Sequence, residues 1–135
     1  MQSESGYQSL AFYDLEFKKK LQAIQILIID EISMAPASLF NFISNLFARI
    51  HNSDVAFGGI SVIAVSDLAQ FPPIRGEAIF YSSVWQLFYP LFLYKSQRQC
   101  EDEEFYQMLE EIRFGTISNT TWSKLVKKTA NYNNN

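Results

Sequence analysis

Apolar positions along this chain follow two rhythms. Ile26, Leu27, Ile28 and Ile29 run without a break and stop at Asp30 and Glu31. Such a run predicts a buried parallel strand, because helices cover both faces of a parallel sheet and leave no polar face. A second short run, Ile60 to Val65, follows the Gly58-Gly59 pair and stops at Ser66-Asp67. A third, Leu91 to Tyr94, follows Pro90. Between the runs the spacing changes to three and four. Leu39, Phe40, Ile43, Leu46, Phe47 and Ile50 share one face of a helix expected from Ala37 to His51. Pro36 suits its first turn, where a missing N–H costs nothing, and Asn52-Ser53-Asp54 ends it. Leu10 to Ala23 predicts a helix leading into the first strand. Ser82-Ser83 predicts the cap of a short helix carrying Val84, Trp85 and Phe88. Four acids, Glu101 to Glu104, open a helix that buries Phe105, Met108, Leu109 and Ile112 and ends at Gly115. A last helix, Thr120 to Thr129, buries Trp122, Leu125 and Val126. Strands alternating with helices make this an α/β chain.

Composition narrows the class. At 135 residues there is one domain at most, with 48% hydrophobic and 19% charged residues, as in a folded globular chain. The 12 Phe and 7 Tyr imply a core rich in ring contacts. A net charge of −3 gives no basic footprint for nucleic acid, so DNA binding cannot be argued from charge. The single Cys100 excludes an internal disulfide framework, and the single His51 excludes a His-rich metal site. Residues 1–20 are polar with acids and match no targeting segment. The uncharged stretches Ile32–Ala48 and Ala78–Tyr94 fall short of a membrane span. The expectation is a soluble intracellular protein.

Candidate chemistry gathers where the apolar runs stop. Open α/β sheets place ligands at the carboxyl ends of their strands. Asp30 suits a Mg²⁺ contact, since a hard cation selects oxygen ligands. Glu31 points another way and could polarise the water that attacks a phosphate, the Walker B arrangement of a nucleotide-hydrolysing motor. The plainer reading is a strand end with two solvated acids. After the second run, Pro72 and Pro73 stiffen the loop that holds Asp67 and Gln70. The Gln70 amide both donates and accepts, which fits it to report on a γ-phosphate or a water; a plain Pro-rich connection is the alternative. Arg98 follows the third run and could reach a phosphate with its fork, or simply face solvent. Lys18, Lys19 and Lys20 read as a solvated helix face, His51 as a capping residue, and the acids 101–104 as a helix start rather than a metal site.

Taken in order, "LIIDEISM", "GG", "SDLAQFPPI", "KSQRQ" and "FYQMLEEIRFG" closely resemble the PIF (petite integration frequency) helicases. These are 5′-to-3′ DNA helicases of superfamily one, related to RecD, and include the helicase part of Helitron-type transposons. The resemblance covers Leu21 to Ser118. It implies a partial RecA-like P-loop NTPase motor domain with a parallel sheet, followed by a helical segment. The implied division is a disordered start over 1–9, the first motor domain with motifs II and III over 10–95, motif IV and the lead-in to a second motor domain over 96–130, and a frayed tail over 131–135. It further implies ATP and Mg²⁺ as cofactors and single-stranded or forked DNA as partner. Asp30 would hold Mg²⁺ and Glu31 would be the general base. Asp67 and Gln70 would lie at the nucleotide, with Gln70 coupling the γ-phosphate to DNA, and Arg98 would contact the γ-phosphate. Such helicases unwind duplexes and G-quadruplexes and serve DNA repair, recombination and telomeres, in nucleus or mitochondrion.

Two departures stand out. Ser66 replaces the glycine usual in motif III, and no G-x-x-x-x-G-K-[ST] occurs in these 135 residues. The expectation is a piece of a helicase that does not turn over ATP alone; the alternative is a non-catalytic, helicase-derived binding remnant. Another P-loop ATPase, such as an AAA-type protein, fits the Pro-Pro loop poorly. An uncovered sheet edge at Ile26–Ile29 would make the isolated chain marginal, needing the missing helicase domains or a partner chain.

Overall fold

The computed structural model describes residues 7–94, 97 and 102–132. It divides into two compact units, one ending at Pro90 and one beginning at Leu91.

The first unit is built on two parallel strands, β1 (Ile26–Ile29) and β2 (Ser61–Ala64). Ile26 pairs with Ser61 and Ile29 with Ala64. Parallel neighbours need a crossover, and here it contains the helix α2 (Ala37–Ile50). An earlier helix, α1 (Leu15–Gln22), is capped by Asp14, whose Oδ1 accepts the Phe17 N–H at 3.0 Å. This cap divides the helix expected over Leu10–Ala23: Leu10–Phe12 form a separate 3-10 turn capped by Ser9. The α1 helix is tied to the end of α2 by Gln22, whose Nε2 donates to the Ile50 carbonyl at 3.0 Å.

Alternation along the strands places Leu27, Ile29, Val62 and Ala64 against a core of Ile32, Phe40, Phe47, Phe57 and Ile79. Phe40 is fully buried; its ring lies 5.3 Å from that of Phe57 and 5.4 Å from that of Phe88. Phe57 enters this core from a tight 3-10 segment, Ala56–Gly59, where it takes φ 55° and Gly58 takes φ 67°. Ser44, buried on α2, accepts the Phe57 N–H at 3.1 Å and holds the turn. A Cβ on Gly58 would come within 2.6 Å of the Phe47 carbonyl oxygen, so no side chain fits there. His51 is the C-cap of α2, with its N–H donated to Phe47 O at 2.9 Å and its ring stacked on that of Phe47.

Three expectations need correction. The strands are covered on one face only: Ile26, Ile28 and Ile63 are 58%, 65% and 50% exposed. The described core lies on the Leu27/Ile29 side, and burial on the other side needs a second layer. Leu91–Tyr94 is not a strand; a strand requires a ladder, and these residues have none. The expected helix after Ser82-Ser83 is a single 3-10 turn, Trp85–Leu87, and a second 3-10 turn, Ile79–Tyr81, precedes the two serines. They are held by Asn41 on α2, whose Oδ1 accepts from the Ser82 and Ser83 hydroxyls at 2.6 and 3.0 Å.

The second unit is a helix pair, α3 (Glu103–Phe114) and α4 (Asn119–Tyr132). Asp102 caps α3 by accepting the Phe105 N–H at 2.9 Å, and Gly115 ends it at φ 67°. Glu111 reaches across the turn to accept the Ser118 N–H at 2.9 Å, while the Ser118 Oγ accepts from Thr121 N at the start of α4. These bonds hold the Glu111 carboxyl below the usual carboxylate range. The Ser118 N–H is the largest cause, followed by the Thr121 and Ser118 hydroxyls, with Lys124 adding and burial opposing. Lys124 also pairs with Glu104. The faces expected to be buried are half open instead: Phe105 is 40%, Ile112 41% and Trp122 59% exposed. Two helices alone cover only the seam between them. Among the described residues no helix is long and apolar enough to cross a membrane.

Candidate functional site

The two strands end side by side, and both ends carry chemistry. Their ladder continues past Ile29 and Ala64: Val65 N–H donates to Ile29 O at 2.8 Å, and Ile32 N–H to Val65 O at 3.2 Å. Between Ile29 and Ile32 the chain turns sharply at the two acids. Glu31 adopts the left-handed conformation, φ 53° and ψ 39°, which costs a side-chain-bearing residue roughly 1–2 kcal/mol. Asp30 supports the turn, its Oδ1 accepting the Glu31 N–H at 2.9 Å. Both carboxylates are exposed. The next three residues, Ile32–Met34, form a 3-10 turn whose Ile32 and Ser33 are buried. The acids therefore stand on a rigid, core-anchored base and face outward.

The second strand end is braced internally. Asp67 Oδ1 accepts the Ala69 N–H, its Oδ2 accepts from the Gln70 side-chain Nε2, and its carbonyl accepts the Gln70 N–H, each at 3.0 Å. Gln70 is exposed, with its amide nitrogen fixed by Asp67. The rest of the loop folds back over the start of α2. Glu77 O accepts the Ala37 N–H at 3.0 Å, and Gly76 sits at φ 88° where a Cβ would meet the Pro36 Cβ at 2.9 Å. The stiffness expected of Pro72 and Pro73 is thus supplemented by docking on Pro36 and Ala37.

The fold brings Asp30 and Glu31 to one strand end and Asp67 and Gln70 to its neighbour. Arg98 lies outside the described residues. No cluster of three His, Cys, Asp or Glu suited to a metal occurs among the described residues. The donor set still suits a hard cation: Asp30 offers carboxylate oxygen at an exposed strand end, and Mg²⁺ takes one or two carboxylates plus phosphate oxygens and waters. The sequence reading missed a residue that joins the two ends. Ser66 Oγ accepts the Ser33 N–H at 2.9 Å. The only signal for it was a hydroxyl standing where glycine is usual.

Comparison with known proteins fits this arrangement. A family model described as PIF1-like helicase matches residues 13–123. The chain is 32% identical over 111 residues to the ATP-dependent DNA helicase Pif1 of Bdellovibrio bacteriovorus, covering 78% of this chain and 25% of that protein. It resembles the crystal structure of Bacteroides Pif1 bound to ssDNA with TM-score 0.80 and 26% identity, over 93% of this chain and 32% of that one. It also resembles Bacteroides Pif1 helicase in complex with ADP-AlF3 and ssDNA, with TM-score 0.77 and 28% identity, over 88% of this chain and 31% of that one. The chain thus spans about a quarter to a third of the length of these relatives. With the matched segment covering most of its length, the chain belongs to the PIF1-like helicase family.

Proposed function

We propose that this chain is the part of an ATP-dependent 5′-to-3′ DNA helicase that carries motifs II and III and leads into the second motor domain. The observation that carries the reading is the pairing of two strand ends: the Asp30-Glu31 turn and the Asp67-braced Gln70 leave adjacent parallel strands. The relatives support it through what they bind, ADP-AlF3 and ssDNA in one Bacteroides structure.

Each residue then has a task. Asp30 would hold Mg²⁺, which would supply positive charge against the phosphates of ATP. Glu31 accepts a proton from the attacking water as its oxygen bonds to the γ-phosphorus and ADP departs. Gln70 meets the γ-phosphate and passes its presence or absence to bound DNA. Asp67 acts at the nucleotide by aiming that amide, and Arg98 contributes a cation to the same phosphate. Work of this kind would take place on nuclear or mitochondrial DNA, in repair, recombination or telomere maintenance.

The test replaces the matched segment of Bacteroides Pif1 with residues 13–123 and measures DNA-stimulated phosphate release. The exchanged helicase turns over ATP, and Glu31→Gln lowers its kcat by about 100-fold or more while nucleotide still binds. Undiminished turnover by Glu31→Gln would remove Glu31 from the reaction. Sequencing the message upstream of Met1 separates the two forms of the reading. An in-frame G-x-x-x-x-G-K-[ST] there marks a working helicase, and its absence favours the binding remnant.

A further inference from the structure

We propose that Ser66 is a positioning residue whose hydroxyl fastens the Glu31 turn to the Gln70 loop. The proposal rests on the roles just given to Glu31 and Gln70.

The hydrogen-bond ladder between the strands gives the reason. Its backbone links run from Val65 N to Ile29 O and from Ile32 N to Val65 O. The following link is made by a side chain, from Ser33 N to Ser66 Oγ at 2.9 Å. The hydroxyl extends the ladder one step past the last backbone pair, at the point where both segments turn away to their polar residues. Ser33 is only 5% exposed, so water is a poor substitute as acceptor.

The two ends of this link lie close to the chemistry. Glu31 is two residues before Ser33, and Asp67 directly follows Ser66. From Asp67 the bracing passes to the Gln70 amide at 3.0 Å. One short series of bonds therefore runs from the turn of the acid to the amide that would meet the γ-phosphate. Glycine, the residue usual in the helicases this chain resembles, has no atom that could make the link. Nor does the backbone here demand glycine. Among the described residues the non-glycine positions with positive φ are Glu31, Asn52 and Phe57, and Ser66 is not one of them. The serine adds an acceptor without strain, which makes it a replacement with a use rather than a mark of decay.

The experiment follows amide exchange and side-chain resonances by NMR in the 135-residue chain, with Ser66→Ala, Ser66→Gly and Ser66→Thr. In Ser66→Ala and Ser66→Gly the Ser33 amide exchanges about tenfold faster or more, as expected for one lost hydrogen bond. The Gln70 side-chain amide resonances shift in the same two variants. Ser66→Thr, which keeps the hydroxyl, holds both readouts near native values. The amides of Phe47 and Ile50 in α2 stay protected throughout. An unchanged Ser33 amide in Ser66→Ala overturns the proposal. So does a loss of protection that spreads evenly through α2 and is not restored by threonine, since that is a general loss of fold. Glu31→Gln leaves the Ser33 amide protected. A failure of the helicase reading, seen as turnover indifferent to Glu31, is therefore distinct from a failure of the link.

Discussion

Gly58 and Gly59 are neighbours, both at positive φ, 67° and 79°, yet only one is enclosed. A Cβ at Gly58 would strike the Phe47 carbonyl oxygen and the His51 Cβ, whereas at Gly59 it would meet nothing within 4 Å. The pair separates backbone strain from crowding. Gly59→Ala meets the left-handed penalty alone, about 1–2 kcal/mol, partly offset by a stiffer unfolded chain. Gly58→Ala adds overpacking, for a total of about 2–5 kcal/mol. Urea unfolding of both variants checks this, and equal losses would rule out the close approach at Gly58. Residues of this kind are only half legible in sequence. "GG" announces a turn, but which glycine faces a helix depends on where Phe57 is buried. Ser66 was harder still. Its partner Ser33 lies 33 positions away, and the register of two strands decides whether they meet.

Elements were legible where they depend on local pattern and not where they depend on a neighbour. The spacing of Phe40, Phe47 and Ile50 announced α2, and the run Ile26–Ile29 announced β1 with its observed ends. Asp102 and Gly115 bound α3 as its acids and its glycine suggested. Leu91–Tyr94 has the composition of a strand without a ladder to join. Amphipathic spacing in α3 and α4 tells which face would be buried, not whether anything covers it. The junction of these two helices carries a pH dependence. The Glu111 carboxyl is held low, so its bond to Ser118 N–H contributes stability at neutral pH. That contribution declines as pH falls below the ordinary carboxylate range and is gone below the lowered value. In NMR the Ser118 amide shift follows this titration and the first turn of α4 loosens in acid. Glu111→Gln, whose side chain does not titrate, shows no such dependence; a Ser118 shift that titrates in both would assign the effect elsewhere.

For the whole molecule, what can be expected follows from what these residues include and lack. Asp30 and Glu31 follow one strand and Asp67 and Gln70 follow its parallel neighbour, and the two apolar runs already put each pair just past a strand. A backbone cradle for phosphates is not among the 135 residues, since no G-x-x-x-x-G-K-[ST] occurs in them. The 135-residue chain therefore releases no phosphate from ATP above background, with or without DNA. Robust turnover that vanishes in Glu31→Gln would show the cradle to be dispensable. The outer sheet face, with Ile26, Ile28 and Ile63 open, fits a domain whose relatives are three to four times longer than the segment they share with this chain.

Glu31 has one more consequence. A residue in the left-handed region is most comfortable as glycine or asparagine, and glutamate is neither. Selection for stability alone would push this position towards those residues, and selection for a carboxylate would hold it back. In a lineage released from catalysis, drift at position 31 would have a direction. The glutamate found there runs against it.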